Sequence, residues 1–314
     1  MGSLDEHIPV LVDAVLASLA LRPQSFCVDA TFGRGGHSAR ILAALGPQGR
    51  LLALDRDPAA IAAGRARFPA EPRLALVQGE FAQLAALVRE YGAGRAPDAL
   101  LFDLGVSSPQ LDDPARGFSF RNDGPLDMRM DPAHGQSAAD WLAHAAADEI
   151  RNVIATLGEE RFANRIAQAI VAARGREPLT RTAQLAEIVA RAVRTREPGK
   201  HPATRSFQAI RMHVNDELGQ IERALEQALA LLATGGRLAV ISFHSLEDRL
   251  VKNFMRRHSS VDPVLAGLPV LPPTAQPPLR LVGRKHKATA AEVAANPRAR
   301  SAVLRVAEKV AVAA

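Results

Sequence analysis

Three times in its first hundred residues the chain follows a short apolar run with a segment of helical spacing, and this alternation limits its fold more than any other feature. FCVDAT (26–31) leads through a glycine-rich turn into SARILAALG, stopped at Gly46. RLLALD (50–55) leads into PAAIAAGRARF, LALVQG (74–79) into FAQLAALVREYG, and ALLFDLG (99–105) is a fourth run. Runs of strand length alternating with helices of about ten or more residues mean βαβ units, hence a parallel sheet with helices on both faces. Ligands of such folds sit at the carboxyl ends of the strands.

After Gly105 the alternation stops. GVSSPQLDDPARGFSFRNDGPLDMRMDPAHGQ is dense in turn formers, and helices take over from Ser137, an N-cap with Asp140 three residues on. Leu185, Ile188, Val189 and Ala192 form one helix stripe. Phe207, Ile210, Val214, Leu218, Ile221, Leu225, Leu229 and Leu232 then step by three or four, which predicts a single long helix ending at Gly235-Gly236. RLAVISFH (237–244) reads as a returning strand and SAVLRVAE (301–308) as the last, while 263–283, with six prolines, reads as a loop. The simplest architecture is an α/β domain split in sequence, 1–111 and 204–314, with a mostly helical module from 112 to 203 inserted in it.

Composition narrows the function classes. Among 314 residues, no apolar run approaches the roughly 18 needed to span a bilayer, and the opening MGSLDEHIPVL carries no basic stretch ahead of an apolar one. A cytoplasmic protein is expected. A single cysteine, Cys27, set in a strand, rules out intramolecular disulfides and multi-cysteine metal sites. Between Arg280 and Lys309, eight Lys or Arg face only Glu292 and Glu308, a surplus equal to the +6 of the whole chain. A polyanionic partner and a merely solvated tail both fit it.

The candidate chemistry lies at the strand ends. Gly33-Arg34-Gly35-Gly36 ends a strand and opens a helix, so a ligand can approach its amides without Cβ interference. Ser38 stands where a dinucleotide fingerprint needs its third glycine, and no phosphate-binding G-x-x-x-x-G-K-[ST] exists. Asp55 ends the second strand, where a carboxylate accepts from both hydroxyls of an adenosine ribose, and Asp57 is available to cap the next helix. Phe81, just past the third strand, is placed to pack on an adenine or simply in the core. Asp103 ends the fourth strand, positioned to hold a ligand's amino group or to accept from an exocyclic amine, with the polar Ser107, Ser108 and Gln110 following. His37 and His244 border the same mouth, as structural histidines or as proton carriers. No two histidines pair at zinc spacing, and no G-x-S-x-G elbow is present.

DATFGRGGHS, LALDRDP, FDLGVSSPQLDDPARGFSFRNDGPLDMRMD, GEERFANRIAQAI, HPATRSFQAIRMHVNDEL, GGRLAVISFHSLEDR and NPRARSAVLRVAEK together resemble the RsmH (MraW) family of bacterial methyltransferases, which use S-adenosylmethionine (SAM) on small-subunit ribosomal RNA. The likeness runs nearly end to end and thins only between about 258 and 290. It implies a Rossmann-like SAM-dependent methyltransferase domain with an inserted, mostly helical, substrate-recognition domain. It further implies methylation of the exocyclic N4 of one cytosine in the decoding region.

Carried over by position, Gly35, Gly36, His37, Asp55, Phe81, Asp103 and Gln110 correspond to the cofactor contacts, with Asp103 also the candidate catalytic residue. The implied partner is small-subunit rRNA within the ribosomal subunit, no membrane is involved, and a homodimer is compatible. Arg284, Lys285, Lys287, Arg298 and Arg300, with Arg205 and Arg211 on the long helix, are expected to hold phosphates. Cytosine-N4 methyltransferases of DNA carry an aromatic after Pro-Pro at the fourth strand, whereas this chain has Ser107-Ser108-Pro109 without one. Two other readings use the same residues: a nicotinamide dehydrogenase, and a ribosome-assembly factor that binds RNA and no cofactor.

Overall fold

The computed structural model describes residues 9–193, 199, 201–261, 264–265 and 276–311. The chain divides into two compact units, one of residues 1–105 with 218–314 and one of residues 106–217.

The first unit holds strands β1 (Phe26–Asp29), β2 (Arg50–Asp55), β3 (Leu74–Gln78), β4 (Ala99–Asp103), β5 (Arg237–Ser242), β6 (Leu279–Leu281), β7 (His286–Lys287) and β8 (Val303–Lys309). They form one sheet in the order β3-β2-β1-β4-β5-β8-β6, with β7 also paired to β8. Strands β1 to β5 run parallel, and β8 returns antiparallel beside β5 with Arg237 opposite Glu308. The four apolar runs and the returning strand therefore lie side by side as expected, in a Rossmann-like sheet closed by an antiparallel edge.

Helix α1 (Val12–Leu19) precedes β1, and α2 (Gly36–Ala44), α3 (Pro58–Arg67) and α4 (Leu84–Tyr91) follow β1, β2 and β3. The strands are apolar at nearly every position because both faces are covered. Leu52, Leu54, Leu100 and Phe102 point into one core, whereas Leu51, Ala53, Ala99 and Leu101 point into the other with Val15 of α1 and Ile41 of α2. Since β1 lies between β2 and β4, the winding reverses at the β1/β4 pair, and a crevice opens beyond the ends of those two strands.

The second unit contains α5 (Ser108–Asp112), α6 (Ala138–His144), α7 (Ala147–Gly158), α8 (Ala163–Arg174), α9 (Thr182–Ala192) and α10 (Thr204–Val214) around its own core of Leu142, Ile150, Ile166, Leu185 and Ile210. Ser137 caps α6 through a reciprocal box with Asp140, and Leu185, Val189 and Ala192 are buried along α9, as their spacing predicts.

The predicted long helix is two. Helix α10 ends at Val214, and α11 (Glu217–Leu231) begins after Asp216, whose φ of 46° no helix tolerates. Asn215 takes the break into the second unit: its amide donates to the Met128 and Arg211 carbonyls and accepts from the Met130 N–H, at 2.7 to 2.8 Å. Helix α10 then packs with α7, while Ile221, Leu225 and Ala228 of α11 join the first unit's core. For that reason the units part at 105/106 and 217/218 rather than at the expected 111/112 and 203/204.

Helices α12 (Ser245–Ser259) and α13 (Ala290–Ala295) complete the first unit. Much of the proline-rich 263–283 loop lies outside the described residues. At its end Leu279–Leu281 is not loop but strand β6, paired with β8.

Candidate cofactor and active site

The turn after β1 is built on glycine. Gly33 and Gly35 hold φ of 56° and 71°, and a Cβ on Gly35 would lie 2.6 Å from the Phe32 ring. Gly36 meets Pro9 at 3.1 Å by the same measure, a tight contact, so Gly35 is required by the protein's own packing before any ligand is considered. Asp55 fastens this turn from β2: one carboxylate oxygen accepts from the Gly33 N–H at 2.7 Å and the other from the Asp57 N–H at 2.9 Å. Capping of α3 falls to Asp57, whose side chain accepts from the Ala59 N–H behind Pro58. Among the described residues each Asp55 oxygen thus accepts one backbone hydrogen bond, which leaves a lone pair on each. Burial raises its pKa to about 6.

Asp103 ends β4 across the crevice. Its N–H donates to the Thr31 hydroxyl at 2.6 Å, and its Oδ2 lies 3.5 Å from Nδ1 of His37. Its Oδ1 is buried, with no hydrogen-bond partner among the described residues. Burial lifts the Asp103 pKa to about 6; His37 opposes the rise, and Asp29 and Glu247 add to it. The buried His37 ring is pinned on its far side, Nε2 lying 2.9 Å from the Val10 carbonyl.

Two acids at this mouth escaped the sequence reading. Asp29 ends β1, fully buried, accepting from the Ser38 hydroxyl at 2.7 Å and from the Thr31 N–H. Burial pushes its carboxyl above the usual range. Glu247 of α12 is fully buried and accepts from the N–H groups of Phe243 and His244 at the end of β5, with Nε2 of His244 2.9 Å from its Oε1. An acid as last residue of a strand was the available signal for Asp29. Glu247 stands three residues past His244, at capping-box spacing.

Among the described residues, the charges that act on Asp55 and Asp103 are other carboxylates and one histidine. A crevice floor of this sign attracts a cation and repels a pyrophosphate. NAD is therefore a poor fit.

The remaining predicted residues are placed as follows. Phe81 opens a 3-10 turn after β3, half-buried, its ring edge-to-face with Phe102 at 6.0 Å. In the second unit, the Gln110 side-chain oxygen accepts from the Ser107 N–H at 2.9 Å, capping α5. Arg205 donates to the Glu159 carbonyl at 2.8 Å. Arg211 is held by both carboxylate oxygens of Glu217 at 2.7 and 2.8 Å, with only 13% of its side chain exposed. It is therefore committed within its unit rather than presented to phosphates, contrary to expectation.

Of the eight basic residues between 280 and 309, Arg280 pairs with Glu308, Arg305 with Asp248, and Lys309 donates to the Ala230 carbonyl. Arg284, Lys285, Lys287, Arg298 and Arg300 are exposed, around β7 and the turn before β8.

Residues 5–310 match the MraW methylase family. The chain belongs to that family. It is 61% identical over 308 residues to ribosomal RNA small subunit methyltransferase H of Thiobacillus denitrificans, covering 97% of each chain. The proteins of the same name from Halorhodospira halophila and Dechloromonas aromatica are each 57% identical to it. The alignments cover 96% of this chain in both cases, and 94% and 98% of theirs.

Proposed function

We propose that this chain transfers the methyl group of SAM to the exocyclic N4 of one cytosine in the decoding region of small-subunit rRNA. The observation that carries the cofactor reading is the crevice at β1, β2 and β4, floored by Asp29, Asp55 and Asp103, the charges acting on the last two being carboxylates and one histidine among the described residues. When bound, SAM supplies an activated methyl group on a sulfonium. Asp55 accepts from the ribose hydroxyls while holding the glycine turn. The turn's amides at Gly35 and Gly36 border the cofactor, Phe81 packs on the adenine, and His37 steadies Asp103.

Cytosine N4 is a weak nucleophile, because its lone pair is delocalised into the ring. The chain must hold N4 in line about 3 to 3.5 Å from the methyl carbon, and that positioning supplies most of the rate. An acceptor must also draw on an N4 hydrogen and receive the proton. The unpartnered Oδ1 of Asp103 supplies that acceptor. The target base has to leave its stack, which costs least in a loop or irregular RNA.

The exposed Arg284, Lys285, Lys287, Arg298 and Arg300 hold phosphates, and the helical unit recognises the substrate within the ribosomal subunit, in the cytoplasm. Among the described residues no helix is long and apolar enough to cross a membrane. Isothermal titration against SAM and against NADH tests the cofactor directly: the reading requires SAM to bind and NADH to give no heat of binding, and the reverse pattern would overturn it.

A further inference from the structure

His37 faces two oxygens, and they constrain its protons differently. The Val10 carbonyl, 2.9 Å from Nε2, can only accept, so Nε2 carries a hydrogen. Nδ1 is then turned to Oδ2 of Asp103 at 3.5 Å. A neutral ring and a carboxylate would put two acceptors face to face there, so the pair is at ease only with one further proton between them. At 6% exposure the ring has no room to turn to water. The second oxygen, Oδ1, is buried with no hydrogen-bond partner among the described residues and is therefore the atom left for a ligand.

The reaction itself moves one unit of charge past this pair. The N4 lone pair forms the new bond to the methyl carbon, the carbon–sulfur bond breaks with its electrons kept by sulfur, and N4 gives up one hydrogen as a proton. A sulfonium charge disappears and a proton appears.

We propose that the His37–Asp103 pair is the store for that proton, empty while the cationic donor is bound and filled once the donor has become a thioether. This rests on the SAM reading above. The balance closes: the pair at −1 beside a sulfonium at +1 becomes a pair at zero beside a neutral sulfur. His37 acts in this as a positioning residue, setting how readily Asp103 accepts. The groups facing Asp103 are His37 from α2, Asp29 from β1 and Glu247 from α12. The two acids favour proton uptake on Asp103, and the Nδ1 acceptor of His37 facing Oδ2 favours a proton between the pair. Asp29 is itself occupied by Ser38 and Thr31.

The test is isothermal titration of the full chain with SAM and with its demethylated product, S-adenosylhomocysteine, from pH 5 to 7 in buffers of different ionisation enthalpy. With Asp103 near 6, SAM binding at pH 6 should release about half a proton more than product binding, the release from Asp55 under the shared ribose being common to both. Below that midpoint SAM affinity should fall relative to product affinity by up to about tenfold per pH unit. His37→Gln keeps a donor for Val10 and removes the Nδ1 acceptor that faces Oδ2, so the midpoint should shift by more than half a pH unit. A role in packing alone would not move it. Asp103→Asn should abolish the difference in proton release between the two ligands. Equal proton counts for SAM and product in the parent protein, which need no variant to fold, would overturn the proposal. So would an unmoved midpoint in His37→Gln. Absence of any SAM binding would instead remove the cofactor reading on which it rests.

Discussion

Replacing Asp103 by Asn should make the protein more stable and a poorer binder of SAM. The carboxyl titrates near 6 in the folded chain against 3.8 in the unfolded one, so folding works against its charge. At about 1.4 kcal/mol per pH unit the full cost is about 3 kcal/mol. A quarter of the side chain reaches the surface, and solvent screening reduces the expected gain to about 1 to 2 kcal/mol. The sign follows from the raised pKa: the cost is complete above pH 6, shrinks as pH falls, and vanishes below 3.8, where both states are protonated. The Asn amide can also donate toward Nδ1 of His37, where the carboxylate cannot.

Urea denaturation at pH 7.5 and at pH 4, followed by far-UV circular dichroism, reads the effect. Tryptophan fluorescence would miss it, because the single Trp141 lies in the other unit. Asp103→Asn should gain stability at pH 7.5 and almost none at pH 4, while SAM affinity drops. A variant less stable than its parent at pH 7.5, or one equally favoured at both pH values, would refute the reasoning.

Asp55→Ala should weaken SAM binding by about 10- to 150-fold, or roughly 1.5 to 3 kcal/mol, and unchanged affinity by calorimetry would take Asp55 out of the site. It should also loosen the glycine turn, since Asp55 holds the Gly33 and Asp57 N–H groups. Gly35→Ala places a methyl 2.6 Å from the Phe32 ring in a left-handed conformation and should destabilise the first unit by about 1 to 3 kcal/mol in scanning calorimetry. Asn215→Leu strands the Met130 N–H and two carbonyls and should cost the second unit about 2 to 4 kcal/mol, read by Trp141 fluorescence in urea. Changing Arg284, Lys285 and Lys287 together to Ala should flatten the dependence of log K for RNA on log salt by about two to three units, with SAM affinity held. An unaltered salt slope would move the RNA face elsewhere.

The sheet was legible because βα alternation is a local signal, repeated at each strand. Asp55 and Asp103 stood out as last residues of such strands. The division of 204–232 into two helices was not, since the apolar steps keep helical spacing straight across Asn215 and Asp216. The polar triplet Asn215-Asp216-Glu217 carried the stop and restart, and periodicity overrode it. Arg211 was misread for the same cause: on one continuous helix a residue six positions on points to another face, and only the break lets Glu217 reach it. Losses of Arg280 and Arg305 to acids depend on the pairing of β8 with β6 and on α12, contacts that no local pattern announces. The opposition of His37 and Asp103, 66 positions apart, likewise follows from the β1/β4 neighbourhood rather than from either residue's setting.

The central claim is the transfer itself. Small subunits from cells lacking this protein, incubated with the purified chain and methyl-labelled SAM, can be digested to nucleosides and resolved by mass spectrometry. Label should appear in N4-methylcytidine from the small-subunit rRNA and nowhere else. No label in the rRNA, or label in a methylated adenosine or a ring-carbon-methylated cytidine, would contradict the account.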